Sequence, residues 1–170
     1  MPEHILKEGL FGNRPCVAQI MSWAANRTTT QVEDRAYSLM GLLDVSMPML
    51  YGEGKKAFHR LQVEIIRSSN DQSIFAWGCD LPNVWIGSIL ADDPSFFRDC
   101  SGVELLDHDK FIQYFKEQTT YILGGALGRP RLFWHIPITN RGIHIWMLLC
   151  RYRNSNVFQA YLPCRDGPHR

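Results

Sequence analysis

Charge of either sign is not in surplus: 18 basic and 17 acidic residues leave a net +1 over 170 residues. With no polyelectrolyte field and no basic stripe, the usual footprint of a nucleic-acid-binding protein is missing. Long apolar runs are missing too. The longest, Ile145-Trp-Met-Leu-Leu-Cys150, falls far short of the about 20 residues that span a bilayer, and MPEHILKEGLFGN at the start has no apolar core of signal-peptide length. The expectation is a cytoplasmic protein with neither nucleic acid nor membrane as partner. The five cysteines, Cys16, Cys79, Cys100, Cys150 and Cys164, are odd in number and contain no CxxC pair. That argues against a disulfide framework and a zinc knuckle, and for reduced thiols. The six histidines show no HxxxH or HExxH spacing, and Asp107-His108-Asp109 alone is too sparse for a metal site. GxSxG, GxGxxG and GxxxxGK[ST] do not occur, so nucleophile-elbow, dinucleotide and P-loop chemistry have no motif to stand on. Neither metal nor cofactor is expected.

What is present is an ordinary globular composition, 45% hydrophobic and 12% aromatic, enough for one good core or two small ones. Thr30 followed three residues later by Glu33 has the spacing of a capping box, which predicts a helix from about Gln31. Ala36, Leu39, Met40 and Leu43 then fall at i, i+3, i+4 and i+7, an apolar stripe that leaves Glu33, Asp34, Arg35 and Ser38 outside. Pro48 ends that helix. A second helix is expected from Gly52 or Glu53 to Ser68, with Phe58, Leu61 and Ile65 inward, followed by a short strand over residues 73–78. Residues 84–90 form a buried run of strand type, and Asp92 or Asp93 before Pro94 signals one or two helical turns up to Asp99. From Leu106 the pattern is helical, with Asp107 or Asp109 near the start and Phe111, Ile112 and Phe115 inward. The glycines after Leu123 then break it. Three antiparallel strands in a meander are expected over 133–138, 142–153 and 157–164, with turns at 139–142 and 154–156. The fold class is therefore α+β: a small helical segment of two packed helices followed by a mostly antiparallel β region.

Few residue groupings carry chemistry. Glu33 and Asp34 are adjacent on a helix and point about 100° apart, so a proton-sharing pair is disfavoured and capping explains Glu33. Tyr51-Gly52-Glu53-Gly54-Lys55 opens a helix, where free N–H groups and the dipole suit a phosphate. Glu53 puts a negative charge at its mouth, so a structural junction is the simpler reading; if a ligand binds this chain, this is the candidate site to test. Ser38, Ser73 and Ser88 lie in segments explained by packing. Trp23, Trp77, Trp85, Trp134 and Trp146 read as core or interface anchors.

One long ordered series of residues carries a resemblance: Trp23-Ala24, Arg27-Thr28-Thr29, residues 33–39 (EDRAYSL), Gly41, residues 47–54 (MPMLYGEG), Ala57-Phe58, Arg60-Leu61-Gln62 and residues 71–77 (DQSIFAW). Together they resemble the closing third of the fungal heterokaryon-incompatibility (HET) domain. Ile138-Thr139-Asn140-Arg141-Gly142-Ile143 resembles the start of the β-rich region that often follows it. The resemblance implies an irregular leader over residues 1–20, the C-terminal part of a HET-like domain over 21–80, and an incomplete appended β-rich domain over 81–170. It also implies that the N-terminal α/β half of a complete HET domain is absent. Of the family-motif residues, Trp23, Glu33, Asp34, Tyr37, Gly41, Pro48, Phe58, Leu61, Gln62 and Trp77 are expected to be structural.

Functionally the resemblance implies fungal non-self recognition, or vegetative incompatibility, and programmed cell death, acting through contacts with another HET or death-signalling protein. No residue is assigned a catalytic role. HET domains are distantly similar to the TIR fold, some members of which cleave NAD. An NAD-consuming effector completed in trans is therefore the alternative, and a non-functional fragment is a third.

Overall fold

The structure is a computed structural model that describes residues 14–78, 88–107, 109–114, 136–145, 147–151 and 158–166. Helix α1 (Val17–Ala24) repeats apolar residues at helical spacing and buries Val17, Ala18, Ile20, Met21 and Ala24. It begins inside the segment expected to be an irregular leader. Its first amides are satisfied from a distance: Val17 N–H donates to Asp71 Oδ2 at 2.8 Å and Ala18 N–H to Ser73 Oγ at 3.0 Å. Asp71 and Ser73 thus cap a helix more than fifty residues upstream, alongside a local bond in which Cys16 N–H donates to Gln19 Oε1 at 3.1 Å. Residues 1–13 lie outside the described residues.

Helix α2 (Asp34–Tyr37) is a single turn, continued by turns to residue 44. The expected start at Gln31 is displaced because Glu33 does not cap it. Its carboxylate is committed to a distant loop, and Thr30 is exposed with no partner role in a capping box. Ala36 and Leu39 are buried as expected, and Met40 and Leu43 pack against the core edge. Helix α3 (Lys56–Ser68) buries Phe58, Leu61 and Ile65, as its stripe requires, along with Ala57, Gln62 and Ile66. It begins later than expected because Gly52 (φ 93°) and Gly54 (φ 58°) hold left-handed conformations that a helix cannot include.

The strand expected over 73–78 is instead a 3-10 turn (Gln72–Phe75), started by Asp71, whose Oδ1 accepts from Ser73 N–H at 2.9 Å. Local capping by an aspartate overrides the β-prone Ile-Phe pair. A second 3-10 turn (Pro94–Phe97) follows the expected Asp93-Pro94 start, with Asp93 Oδ1 accepting from Ser95 N–H. A third spans Cys100–Gly102. Residues 109–114 are helical, and Asp107 caps them by accepting from Lys110 N–H. Residues 84–87, 115–135 and 152–157, which carry parts of the expected strand, helix and second turn, lie outside the described residues.

The described strands form antiparallel pairs rather than one three-stranded meander. Strand β1 (Val103–Leu105) pairs with β6 (Cys164–Asp166), Val103 opposite Asp166 and Leu105 opposite Cys164. Strand β2 (Ile138–Thr139) pairs with β3 (Gly142–Ile143) around the expected 139–142 turn, and β4 (Leu148–Arg151) pairs with β5 (Phe158–Tyr161). Pro163, lacking an N–H, cannot extend β5, and its carbonyl instead accepts from Leu106 N–H at 2.9 Å. The chain is thereby turned onto β1, a partner sixty residues back.

One apolar cluster holds these pieces together. Residues from α1, α2 and α3 share it with Ile74, Ala91, Phe97, Cys100, Val103 and Ile136. Phe58 and Phe97 meet edge-to-face at 6.5 Å between ring centroids. The core thus draws on residues from both sides of position 80. Within it, Cys16 Sγ–H donates to Val103 O and Cys100 Sγ–H to Ala76 O. Cys16, Cys100 and Cys164 are thiols, and burial pushes the Cys16 thiol above its ordinary pKa. The architecture is mixed α+β. Among the described residues no helix is long and apolar enough to cross a membrane.

Candidate functional site

The loop from Pro48 to Lys55 is where most of the motif residues converge. It is held by groups that come to it from α2 and α3. Glu33, 4% exposed, sends one carboxylate oxygen to both Gly52 N–H and Gly54 N–H, each at 2.8 Å. The two amides that suited a phosphate are therefore engaged by an internal anion. Those hydrogen bonds, with Gly54 the strongest contributor, hold the Glu33 carboxyl below its usual range. Only backbones with positive φ turn both amides toward one oxygen, which is why glycine stands at 52 and 54.

Tyr37 grips the other side of the loop. Its hydroxyl donates to Leu50 O and accepts from Leu50 N–H, both at 2.7 Å. Arg60, one turn into α3, pairs with Glu53 through Nη1 and donates to Pro48 O at 2.7 Å through Nη2. Glu53 Oε1 also accepts from Tyr37 at 3.3 Å. Tyr51 donates to Asp34 Oδ1 at 3.0 Å and meets Tyr37 edge-to-face at 5.7 Å between centroids. Desolvation raises the Tyr37 phenol above its usual pKa, and the hydrogen bond to Asp34 does the same for Tyr51. The negative charge of Glu53 at the mouth is thus neutralised from within by Arg60.

A second knot lies on the opposite side of α3. Gln62, fully buried, donates from Nε2 to Ala91 O at 2.8 Å and accepts through Oε1 from Ala91 N–H at 2.9 Å. An amide side chain here does for one buried residue what a neighbouring strand does for a ladder. Beside it His59 meets Asp92 at 2.9 Å. Arg35 pairs with Asp93 at 2.6 Å and donates to Ala24 O and Ala25 O, tying α1, α2 and the second 3-10 turn together, with Nε buried and unbonded. Burial pushes the Asp93 carboxyl up, but the Ser95 hydroxyl and amide and the Arg35 cation outweigh it and leave the carboxyl below its usual range. Trp77 donates to Ile89 O at 3.1 Å and packs against Phe96.

Of the expected motif residues, Glu33, Asp34, Tyr37, Pro48, Tyr51, Gly52, Glu53 and Gly54 are brought together in the loop, with Lys55 exposed at its end. Phe58 and Leu61 lie in the core and Gln62 and Trp77 in the second knot. Trp23 is not a core anchor. It is 52% exposed on the outer face of α1, whose neighbours Met21 and Ala24 take the buried face. Nothing within 4 Å of a Cβ at Gly41, and no unusual φ, explains glycine there. Sequence reasoning left Arg35 outside its helix's apolar stripe and did not count Arg60 among the inward residues of the second helix, although both are central to the packing. The signal in reach was an arginine beside the apolar stripe of each helix, where a long side chain lies along the surface and delivers its charge to a partner.

Among the described residues no group of three or more histidine, cysteine or acidic side chains is placed to hold a metal. Open cavities lie among the described residues, two of them sizeable. One, about 480 Å³, lies between the start of α1, the end of α3 and the β1–β6 pair; the other, about 690 Å³, lies beside Trp77 and the β5–β6 segment. The loop of motif residues lines neither.

Comparison with known proteins supports the motif reading in part. Residues 56–87 match the family model of a domain of unknown function, DUF8212. That match begins at the first residue of α3 and runs past position 80. A 46-residue stretch, 26% of the chain, is 54% identical to the vegetative incompatibility protein HET-E-1 of Podospora anserina, and spans 3% of that protein's length. No solved structure matches the chain.

Proposed function

We propose that the chain acts in fungal non-self recognition as a cytoplasmic, non-catalytic module that works by protein contact. The observation that carries this reading is its 54% identity, over 46 residues, to a vegetative incompatibility protein. The geometry is in keeping with it. The polar motif residues spend their hydrogen bonds on the loop and on Ala91, and the two glycine amides that would otherwise suit a phosphate donate to Glu33. Groups arranged to fix a backbone are suited to presenting a surface. The test is genetic and biochemical. Deleting the gene and pairing the deletion strain with a panel of tester strains is expected to abolish the contact death reaction in at least one pairing. Restoring the chain should bring it back. Reactions unchanged in every pairing refute the role. Measurable NAD turnover by the purified chain, alone or mixed with a second HET chain, refutes its non-catalytic character.

A further inference from the structure

The loop fixed by Glu33, Tyr37 and Arg60 carries three consecutive large side chains out into solvent: Met49 at 62%, Leu50 at 52% and Tyr51 at 62% exposure. A globular chain has no reason of its own to immobilise an apolar tip outside its core, because side chains left in water gain nothing from burial. Yet both backbone groups of Leu50, the carbonyl of Pro48 and the amides of Gly52 and Gly54 are all tied down. The conformational cost of ordering a recognition loop has therefore been met before any partner arrives.

The charges beside the tip point to the partner's character. Lys55 and Lys56 are exposed at the start of α3, where the helix dipole favours carboxylates and disfavours cations. Neither has an ion pair among the described residues, although Glu53, two residues away, is paired with Arg60. The lysines thus work against their own helix and are free to work for a contact. A second copy placed tip to tip about a two-fold axis would bring four lysines together. A bilayer has no need of a rigid loop and would receive Asp34, which sits against Tyr51, along with it.

We propose that Met49-Leu50-Tyr51 is a docking element that enters an apolar groove on another protein, whose rim carries carboxylates opposite Lys55 and Lys56. This rests on the protein-contact reading above and names the surface and the chemistry of the partner. The test places a photo-crosslinking residue at Met49 in the full chain, expressed in its own host. The captured protein is identified, purified and titrated against the wild-type chain, Leu50→Ser and Lys55→Glu/Lys56→Glu. Because these side chains are exposed, the urea midpoint of Leu50→Ser should match the wild type, and that of Lys55→Glu/Lys56→Glu should match or exceed it, since carboxylates suit a helix start. The expected result is a Kd weakened about tenfold or more by each variant, with wild-type affinity falling as salt rises. An adduct only with a second copy, only with lipid, or with nothing overturns the proposal. So does an identified partner whose Kd the tip variants leave unchanged. A crosslinker at Leu149, 58% exposed on β4, separates the two readings. Partner capture there, with the tip variants silent, overturns the tip and leaves the protein-contact role standing.

Discussion

Gln62 offers the sharpest test of the packing. It is fully buried, and Ala91, also fully buried, has both its N–H and its C=O satisfied by that one side chain. Gln62→Leu keeps the volume and removes both partners. Each orphaned backbone group costs about 1–3 kcal/mol, so the loss is roughly 2–6 kcal/mol before the gain from burying leucine in place of an amide, roughly 1–2 kcal/mol. A net destabilisation of about 3 kcal/mol is a large fraction of the about 5–15 kcal/mol that holds a domain together. For a chain of this size it lowers Tm by roughly 6–12 °C. Urea unfolding followed by tryptophan fluorescence reads it directly, and the slope should not change. Gln62→Glu supplies a second signature. At neutral pH a carboxylate can accept from Ala91 N–H but cannot donate to Ala91 O, so this variant should be less stable than Gln62→Leu. It should recover relative to wild type as the pH falls and the buried carboxyl takes up a proton to donate. A Gln62→Leu midpoint within about 0.5 kcal/mol of wild type, at unchanged slope, would refute the reasoning.

The other predictions concern the loop, its acidic support and the core. Glu33 has a folded pKa below its unfolded value, so its contribution to stability is present above the ordinary carboxylate pKa and is lost as pH falls through the depressed one. Wild type should therefore lose stability on acidification across that window more steeply than Glu33→Gln, and parallel pH curves would contradict this. Limited proteolysis should cut between Met49 and Lys55 in Glu33→Ala well before it does so in wild type. Asp44 holds φ 55°, which aspartate tolerates and a β-branched residue does not. Asp44→Val should cost about 1–2 kcal/mol and Asp44→Gly should be neutral to slightly stabilising by thermal melt. Phe97 is completely buried, and Phe97→Ala should cost about 3–5 kcal/mol in a urea titration.

Apolar periodicity and proline or aspartate punctuation made much of the architecture legible. The α3 stripe, the Asp93-Pro94 start, the Asp107 cap and the 139–142 turn all rest on interactions within a few residues, which a linear reading can see. What it missed was set at long range. The oxygen of Glu33 goes to amides about twenty residues on, and Asp71 and Ser73 cap a helix fifty residues back. Such commitments leave the same local spacing as a capping box or a strand, and nothing in the spacing separates them. The motif residues were legible as an ordered series along the chain. Their mutual arrangement was not, because Tyr37 and Arg60 reach backbone carbonyls, and a carbonyl has no residue type to recognise.

The borrowed cap of α1 has a consequence for the order in which the chain acquires structure. Eight residues are too few to sustain a helix unaided, and the groups that quiet its first amides lie beyond the end of α3. On a ribosome, the loop can organise as soon as it emerges with α2 and the first turn of α3, since the contacts that hold it span about twenty residues or fewer. α1 must wait for Asp71 and Ser73, and for Val103, which accepts from the Cys16 thiol. Helix α1, made before α3, is thus secured after the loop, and stays open to a chaperone or a protease for longer.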